Sequence, residues 1–361
     1  MRVLQEAVGP RVRLFPAIKA NAYGHGAALV APVLAGLGYD TACVAHVREA
    51  AELLQEGRET GLRRLLVLAG MLPEEASLVA ALAPRVEPVV SCEEQLEALA
   101  AAARAAQRRQ RVGVHVQLDT GMSRQGALPA AMGRLLSLAT GPLADALELR
   151  GVMTHFAAAD EPDPAATRRQ LALFLGTLAA LPPLPAGVVR HAANSAGVLA
   201  HSSSHLEACR PGLAVYGLSP GPAVEAAARL RPVLRLVSRV TLLKRVPLGT
   251  PVSYGGSFVT TRPWTVLAVV AAGYGDGLAR SQGGRMAALL AGVRCPQLGR
   301  VTMDQVVVDA TEVPPAQLRL GMPAELLGPG QTADQLAAHA GTINYEIVTA
   351  LSARVERRLV D

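Results

Sequence analysis

Eight short apolar runs punctuate the first 210 residues: Val12–Ile18, Thr41–Ala45, Leu65–Ala69, Val86–Val90, Val112–Leu118, Leu149–His155, Val188–His191 and Leu206–Arg210. Most are separated by Ala/Leu/Arg-rich segments long enough for helices. In Glu93–Arg109, for example, Leu96, Leu99, Ala100 and Ala103 share one helical face. Strands that alternate with helices form a parallel sheet covered by those helices, and eight such units predict a closed β/α barrel, TIM-like in plan. The fifth run shows which way its side chains face. Val112, Val114, Val116 and Leu118 alternate with Gly113, His115, Gln117 and Asp119. With a period of two, the apolar set meets the helices and the polar set lines the barrel interior. After about residue 220 the texture changes. Pro220-Gly221-Pro222 reads as a linker, followed by Val/Thr/Leu-rich sequence with turn signals at 247–249, 255–256, 283–284 and 328–330. Helical stretches there are confined to Ala333–His339 and Met286–Leu290. The expected organisation is a barrel over residues 1–220 and a mostly-β domain over 221–361.

Composition removes several classes of function. Of the residues, 50% are hydrophobic and 18% charged, which supports a large core and excludes general disorder. Aromatics make up only 3%, so Ala, Leu and Val must build that core. No apolar run approaches the roughly 20 residues of a membrane span, and residues 1–20 lack the layout of a signal peptide. Cys43, Cys92, Cys209 and Cys295 are scattered, as expected of reduced thiols in the cytoplasm. The net charge of +6 invites a nucleic-acid reading, with Arg-rich stretches at Arg108–Arg111 and Arg354–Arg358. No zinc-finger or RNA-binding signature accompanies them and aromatics for base stacking are few, so solvated helix faces account for the arginines better. No membrane or nucleic-acid partner is expected, and no metal.

The chain holds two lysines, Lys19 and Lys244, against 33 arginines. Lys19 ends the first predicted strand, which in a barrel is the rim where active sites lie. Condensation with an aldehyde needs a primary amine that can lose its proton, and arginine cannot supply one. A solitary lysine at a strand end would more simply be a side chain reaching for solvent, but its neighbours argue otherwise. The segment Ala17-Ile-Lys-Ala-Asn-Ala-Tyr-Gly-His-Gly26 resembles the pyridoxal 5'-phosphate (PLP) attachment motif of the alanine racemase family. Further resemblances follow in the family's order. They are Val116-Gln-Leu-Asp-Thr-Gly-Met-Ser-Arg124, His155, His191-Ala-Ala-Asn-Ser195 and Arg210-Pro-Gly-Leu-Ala-Val-Tyr-Gly217 in the first domain. In the second they are Val252-Ser-Tyr-Gly255, Gly273-Tyr-Gly-Asp-Gly277, Gly299-Arg-Val-Thr-Met-Asp304 and Tyr345-Glu346. Five of the six tyrosines fall in these motifs.

The resemblance implies a cytoplasmic PLP enzyme that interconverts L- and D-alanine and supplies D-alanine for peptidoglycan. It also implies a head-to-tail homodimer in which each active site draws on both chains. Lys19 would carry the cofactor and act as one base. Tyr254, from the partner chain, would be the second base on the opposite face of the substrate Cα. A phenol with its ordinary pKa near ~10 is a poor base at neutral pH, and positive charge relayed through His155 and Arg210 would lower that value. Arg210 would face the pyridine nitrogen and keep it unprotonated, weakening the ring as an electron sink. Tyr23, Asn194, Ser195, Gly212, Leu213 and Tyr345 would hold the phosphate, although Ser195 could equally be a simple helix N-cap. Arg124 and, from the partner chain, the Met303 backbone would bind the substrate carboxylate, and Asp304 would line the entrance, again from the partner chain.

Two departures stand out. Gln117 replaces a lysine that becomes carbamylated in many family members, and its amide oxygen is expected to accept a hydrogen bond from Arg124 in place of the carbamate. The resemblance also implies about one further strand and half a helix ahead of this sequence. Without that strand the β domain is expected to show an open sheet edge. Three alternatives share the fold: a broad-specificity or serine racemase, a PLP-binding homeostasis protein made of a barrel alone, and a decarboxylase with a carboxylate where Arg210 stands.

Overall fold

A computed structural model describes every residue except 56–58, 108–109 and 361, so Arg108 and Arg109 of the first Arg-rich stretch lie outside the described residues. The chain divides into two compact units. The first comprises Met1–Ala22 with Gly26–Arg231, and the second Tyr23–His25 with Pro232–Asp361.

The first unit is built on eight parallel strands. These are β1 (Arg13–Leu14), β2 (Thr41–Val44), β3 (Arg64–Val67), β4 (Val86–Val90), β5 (Val112–Gln117), β6 (Leu147–Met153), β7 (Val189–His191) and β8 (Ala208–Cys209). They pair in the order β1-β8-β7-β6-β5-β4-β3-β2. The first strand is shorter than the apolar run that predicts it. Pro16 has no N–H to give to a ladder, and pairing resumes beyond it. Ala17 bridges Cys43 in parallel, with Cys43 N donating to Pro16 O (2.8 Å) and Ile18 N to Cys43 O (2.7 Å). These bonds bring the ring round from β1 to β2.

The helix Glu93–Ala105 buries Leu96, Leu99, Ala100 and Ala103, the face its periodicity marks. Full burial of each leucine contributes about 1.5–3 kcal/mol. An opening helix, Arg2–Val8, buries Leu4 and Val8 in a cluster with Leu14, Ala193, Val198, Cys209 and Ala214. Val224 and Ala227 pack with Phe156, Ala159 and Leu171, so Pro220-Gly221-Pro222 lies inside the first unit.

In the second unit β9 (Leu236–Pro247) is long enough to pair on both edges. It meets β12 (Trp264–Val270) on one side and β16 (Pro323–Leu327) on the other. With β13 (Ala287–Leu290), β14 (Val293–Leu298) and β15 (Val306–Asp309) they form a closed barrel. The expectation of an open edge in this barrel is therefore corrected: twelve residues in β9 close the ring. Residues 286–290 are also not a helix. Ala291 and Gly292 both take positive φ, the signature of a two-residue hairpin turn, and this sets β13 against β14. A short ladder of β10 (Pro251–Val252) and β11 (Phe258–Val259) flanks Tyr254. Helices Ala333–Ala340 and Asn344–Thr349 follow, the second without a clear periodic signal. No described helix is long and apolar enough to cross a membrane.

Candidate active site

Lys19 opens an unusual turn. Ala20, Asn21 and Ala22 take left-handed helical angles, with φ of 50, 53 and 57°. For L-residues this costs about 1–2 kcal/mol each, so the surroundings must hold it. Glu49 accepts from Ala20 N (2.7 Å) through one oxygen and from Ala45 N (2.6 Å) through the other. Asn21, a residue type that tolerates this region, caps the next segment by accepting from Ala27 N (2.8 Å). Tyr216 donates its hydroxyl proton to Ala17 O (2.7 Å) just before the lysine. Burial, then the charges of Arg124 and Arg210, push the Lys19 pKa down from its ordinary value of 10.5. A lowered amine pKa raises the fraction able to take up a proton.

Arg210 is 3% exposed and is no surface residue. Its guanidinium has five N–H donors. Nη1 donates to His191 Nδ1 (2.6 Å) and His191 O (2.9 Å). Nη2 donates to Thr154 O (2.7 Å) and Ala192 O (3.0 Å), and lies 3.3 Å from His155 Nδ1. Nε is buried with no partner among the described residues. Burial lowers the Arg210 pKa to about 10, which leaves it a cation at neutral pH.

A directed chain of side-chain hydrogen bonds runs from Arg210 through His191 and His115 to Glu87. Arg210 can only donate, so His191 Nδ1 accepts and its Nε2 carries the proton. Nε2 then donates to His115 Nδ1 (2.8 Å), and His115 Nε2 donates to the Glu87 carboxylate (3.1 Å). Burial opposes the Glu87 charge, but the His115 hydrogen bond and charges of Arg64 and Arg150 outweigh it and hold its pKa low. Sequence reading identified neither Glu87, His115 nor Glu49 as a site residue. A carboxylate inside the apolar run Val86–Val90, and a histidine on the polar face of the fifth strand, were the available signals. Glu49 carried only a capping signal for its own helix.

His155 is neutral. Burial first, then Arg210, Arg124 and Lys19, lower its pKa to about 3. Because its Nδ1 faces a guanidinium donor, the proton resides on Nε2. The same charge effects place Arg124 within electrostatic reach of both Lys19 and His155. Arg124 stands on a loop that Asp119 shapes by accepting from the N–H groups of Gly121 (2.9 Å), Met122 (3.1 Å) and Ser123 (3.1 Å). Gln117 does not bond Arg124 among the described residues. Its Nε2 donates to Gln125 O (3.1 Å), so it holds the loop one residue further on. The physical reason is chain direction: the loop doubles back to β5, where Ala127 N meets Gln117 O (2.8 Å), and this brings the Gln125 carbonyl to the glutamine.

Asn194, not Ser195, caps the short helix Ser195–Ala200, accepting from Gly197 N (2.9 Å). Ser195 Oγ accepts from Gly212 N (2.8 Å) and Ala214 N (3.2 Å) and retains its own proton for another acceptor. Ser195, Ala196 and Leu213 open the short helices Ser195–Ala200 and Leu213–Tyr216, where the first N–H groups have no intrahelical acceptor. In the second unit Tyr23 and Tyr345 come together, with ring centroids 6.1 Å apart. Tyr254 is 72% exposed on a turn where Ser253, Gly255 and Gly256 all take positive φ. Met303 and Asp304 lie on an exposed turn of the same unit.

Residues 1–220 match the family model "Alanine racemase, N-terminal domain" and residues 233–359 match "Alanine racemase, C-terminal domain". The chain belongs to the alanine racemase family. An alanine racemase of Desulfovibrio desulfuricans is 36% identical over 365 aligned positions, covering 100% of this chain and 95% of that protein. Crystallised alanine racemase from Streptomyces lavendulae superposes with a TM-score of 0.85 at 35% identity, over 98% of this chain and 92% of that one. The alanine racemase of Bartonella henselae, solved with covalently bound pyridoxal phosphate, gives a TM-score of 0.83 at 28% identity, over 99% and 95% of the two chains. The protein is thus an amino-acid racemase, an isomerase of alanine. The match to an alanine racemase C-terminal domain separates it from homeostasis proteins built of a barrel alone. The arginine-rich C-terminal stretch is not a free basic patch: Arg354 pairs with Asp276 and Asp304, Arg357 donates to Ser352 O, Val355 O and Leu351 O, and Arg358 pairs with Glu356.

Proposed function

We propose that the chain racemises alanine on pyridoxal 5'-phosphate held by Lys19, with Tyr254 of a second copy serving the opposite face of the substrate Cα. The observation that carries this reading is the Arg210 donor set. Protein acceptors occupy both Nη atoms, and Nε remains buried and unpartnered in the unit that holds Lys19. A buried N–H without an acceptor costs about 1–3 kcal/mol, and a pyridine nitrogen is an acceptor of the right kind. The Ser195 hydroxyl and the N–H groups of Ser195, Ala196 and Leu213 also suit a phosphate, while Gly212 shapes the loop and Asn194 caps the helix beneath it. Tyr23 and Tyr345, paired in the second unit, carry the phenols that the family resemblance assigns to the cofactor.

When bound, PLP supplies a conjugated ring that withdraws electrons from Cα. Lys19 then removes or returns the proton on one face. On the other face Tyr254 does the same as a phenolate. Neutral His155, its Nε2 proton fixed by Arg210, stabilises that phenolate by donating a hydrogen bond, while Arg210 and Arg124 supply the positive field. Arg210 Nε, buried without a protein partner, would donate to the ring nitrogen and keep its own proton, which would limit electron withdrawal and disfavour side reactions. Arg124 and, from the second copy, the Met303 N–H bind the substrate carboxylate, Gln117 steadies the Arg124 loop, and Asp304 of the second copy lines the approach. The homodimer, a cytoplasmic location and the supply of D-alanine to peptidoglycan belong to this reading and rest on the family's activity.

The test is directional. Solvent-deuterium exchange at Cα is followed separately for each enantiomer in Tyr254→Phe. Proton abstraction from L-alanine is expected to fall far more than from D-alanine, and equal losses would overturn the two-base assignment. Rates on alanine, serine, lysine and arginine then define substrate breadth.

A further inference from the structure

The Gly273–Gly277 turn takes no part in the chemistry above, yet it is packed against the residues assigned to the substrate. A Cβ on Gly273 would lie 2.2 Å from Thr302 O and 2.4 Å from Met303 O, and one on Gly275 would lie 2.6 Å from Arg354 Nη2. The glycines allow backbone bonds at this closeness: Tyr274 N donates to Thr302 O (2.9 Å) and Gly275 N to Met303 O (2.8 Å). Two successive carbonyls of the Met303 turn are therefore pinned to one side. In trans peptides the N–H points opposite to its carbonyl, so the N–H groups of Met303 and Asp304 are aimed away from that turn. Neither N–H meets a backbone acceptor among the described residues.

One side chain locks this arrangement. Arg354 donates from Nε to Asp276 Oδ1 (2.7 Å) and from Nη2 to Asp276 Oδ2 (3.0 Å). Its Nη1 lies 2.9 Å from Asp304 Oδ1, and Nη2 also donates to Met303 O (3.3 Å). Asp276 in turn accepts from Gly273 N (2.8 Å), and its carbonyl accepts from Ser352 N (3.2 Å). The planar guanidinium thus ties the glycine turn, the Met303 carbonyl and the Asp304 carboxylate into one rigid piece, a geometry that lysine cannot reproduce.

We propose that Arg354 is a positioning residue for substrate binding: through Asp276 and Asp304 it holds the Met303–Asp304 backbone with its N–H groups presented to the alanine carboxylate, and it neutralises Asp304 beside that anion. The inference rests on the reading that Met303 and Asp304 handle the substrate. The holoenzyme variants Arg354→Gln, Arg354→Lys, Asp276→Asn and Asp304→Ala are compared by steady-state kinetics and cofactor absorbance. For Arg354→Gln, KM for L-alanine is expected to rise about tenfold or more, the effect of losing charge-assisted hydrogen bonds, with kcat and cofactor content held close to wild type. Arg354→Lys keeps the charge and should fall between, and adding Asp304→Asn to Arg354→Gln should recover part of the KM. An unchanged KM, or a fall in kcat alone, overturns the proposal. If Arg354→Gln does not fold, Asp276→Asn must show the same KM-specific rise, smaller in size, or the proposal fails. Should Asp304→Ala raise KM while Arg354→Gln does not, only the inference is lost. If neither moves KM, the assignment of this turn to the substrate is lost with it.

Discussion

At the scale of single residues, hydrogen-bond direction decides what the titratable groups can be. Arg210 has no acceptor atom, so each histidine it touches must present a bare nitrogen, and protonation of His191 or His155 would place two donors face to face. This has a consequence for acid stability. The folded pKa of His155 is about 3, against an ordinary value of 6.5. Between those values the unfolded chain binds a proton that the folded chain refuses, so stability falls as pH is lowered through the window. Glu87, whose pKa is held low, adds loss in the same direction as pH falls through the carboxylate range. The contribution of His155 is isolated by difference. In urea titrations at several pH values, His155→Gln is expected to lose less stability than wild type between about pH 6.5 and pH 3. Parallel losses in the two proteins would show that His155 is not held neutral by folding.

At the scale of elements, small residues admit the polar machinery. Gly151 lies in β6, and a Cβ there would sit 2.1 Å from His115 Nδ1 and 3.0 Å from Val189 O. The strand needs glycine at this point because the histidine ring of β5 occupies the space a side chain would fill. Gly151→Ala is therefore expected to destabilise the protein by about 1–3 kcal/mol in chemical denaturation, as overpacking of a tight core does. Gly176 is the control. It lies inside the helix Ala165–Ala179, and a Cβ there meets nothing within 4 Å. Gly176→Ala should stabilise by about 0.5–1 kcal/mol, since helix propensity is then the only effect. The same substitution with opposite signs at two positions tests the packing directly; a destabilising Gly176→Ala, or a neutral Gly151→Ala, contradicts it.

At the scale of the whole molecule, the proposed assembly predicts complementation. Tyr254 stands exposed on its glycine-rich turn, and on the proposed reading its phenol serves a neighbouring copy. Lys19→Ala and Tyr254→Phe chains, each inactive in the L-to-D direction alone, should regain about a quarter of wild-type activity when unfolded together in equal amounts and refolded. Half of randomly paired dimers are then mixed, and each mixed dimer has one intact site. No recovery would sink the shared site. The sequence by itself determined the strand–helix alternation, the mostly-β second unit, and the motifs around Lys19, Arg210 and Tyr254. Those signals are local: periodicity, turn residues and short ordered strings survive without any knowledge of what packs where. Only the tertiary structure decided the rest. It joined Arg210, His191, His115 and Glu87 from four strands or strand ends into one chain of hydrogen bonds that ends on the carboxylate. It moved Gln117 from Arg124 to the Gln125 carbonyl, and it made Arg354, one arginine among 33 in the sequence, the clamp of a turn some fifty residues away. Hydrogen bonds between residues distant in sequence depend on strand order and on where a loop doubles back, and neither is written in the spacing of residue types.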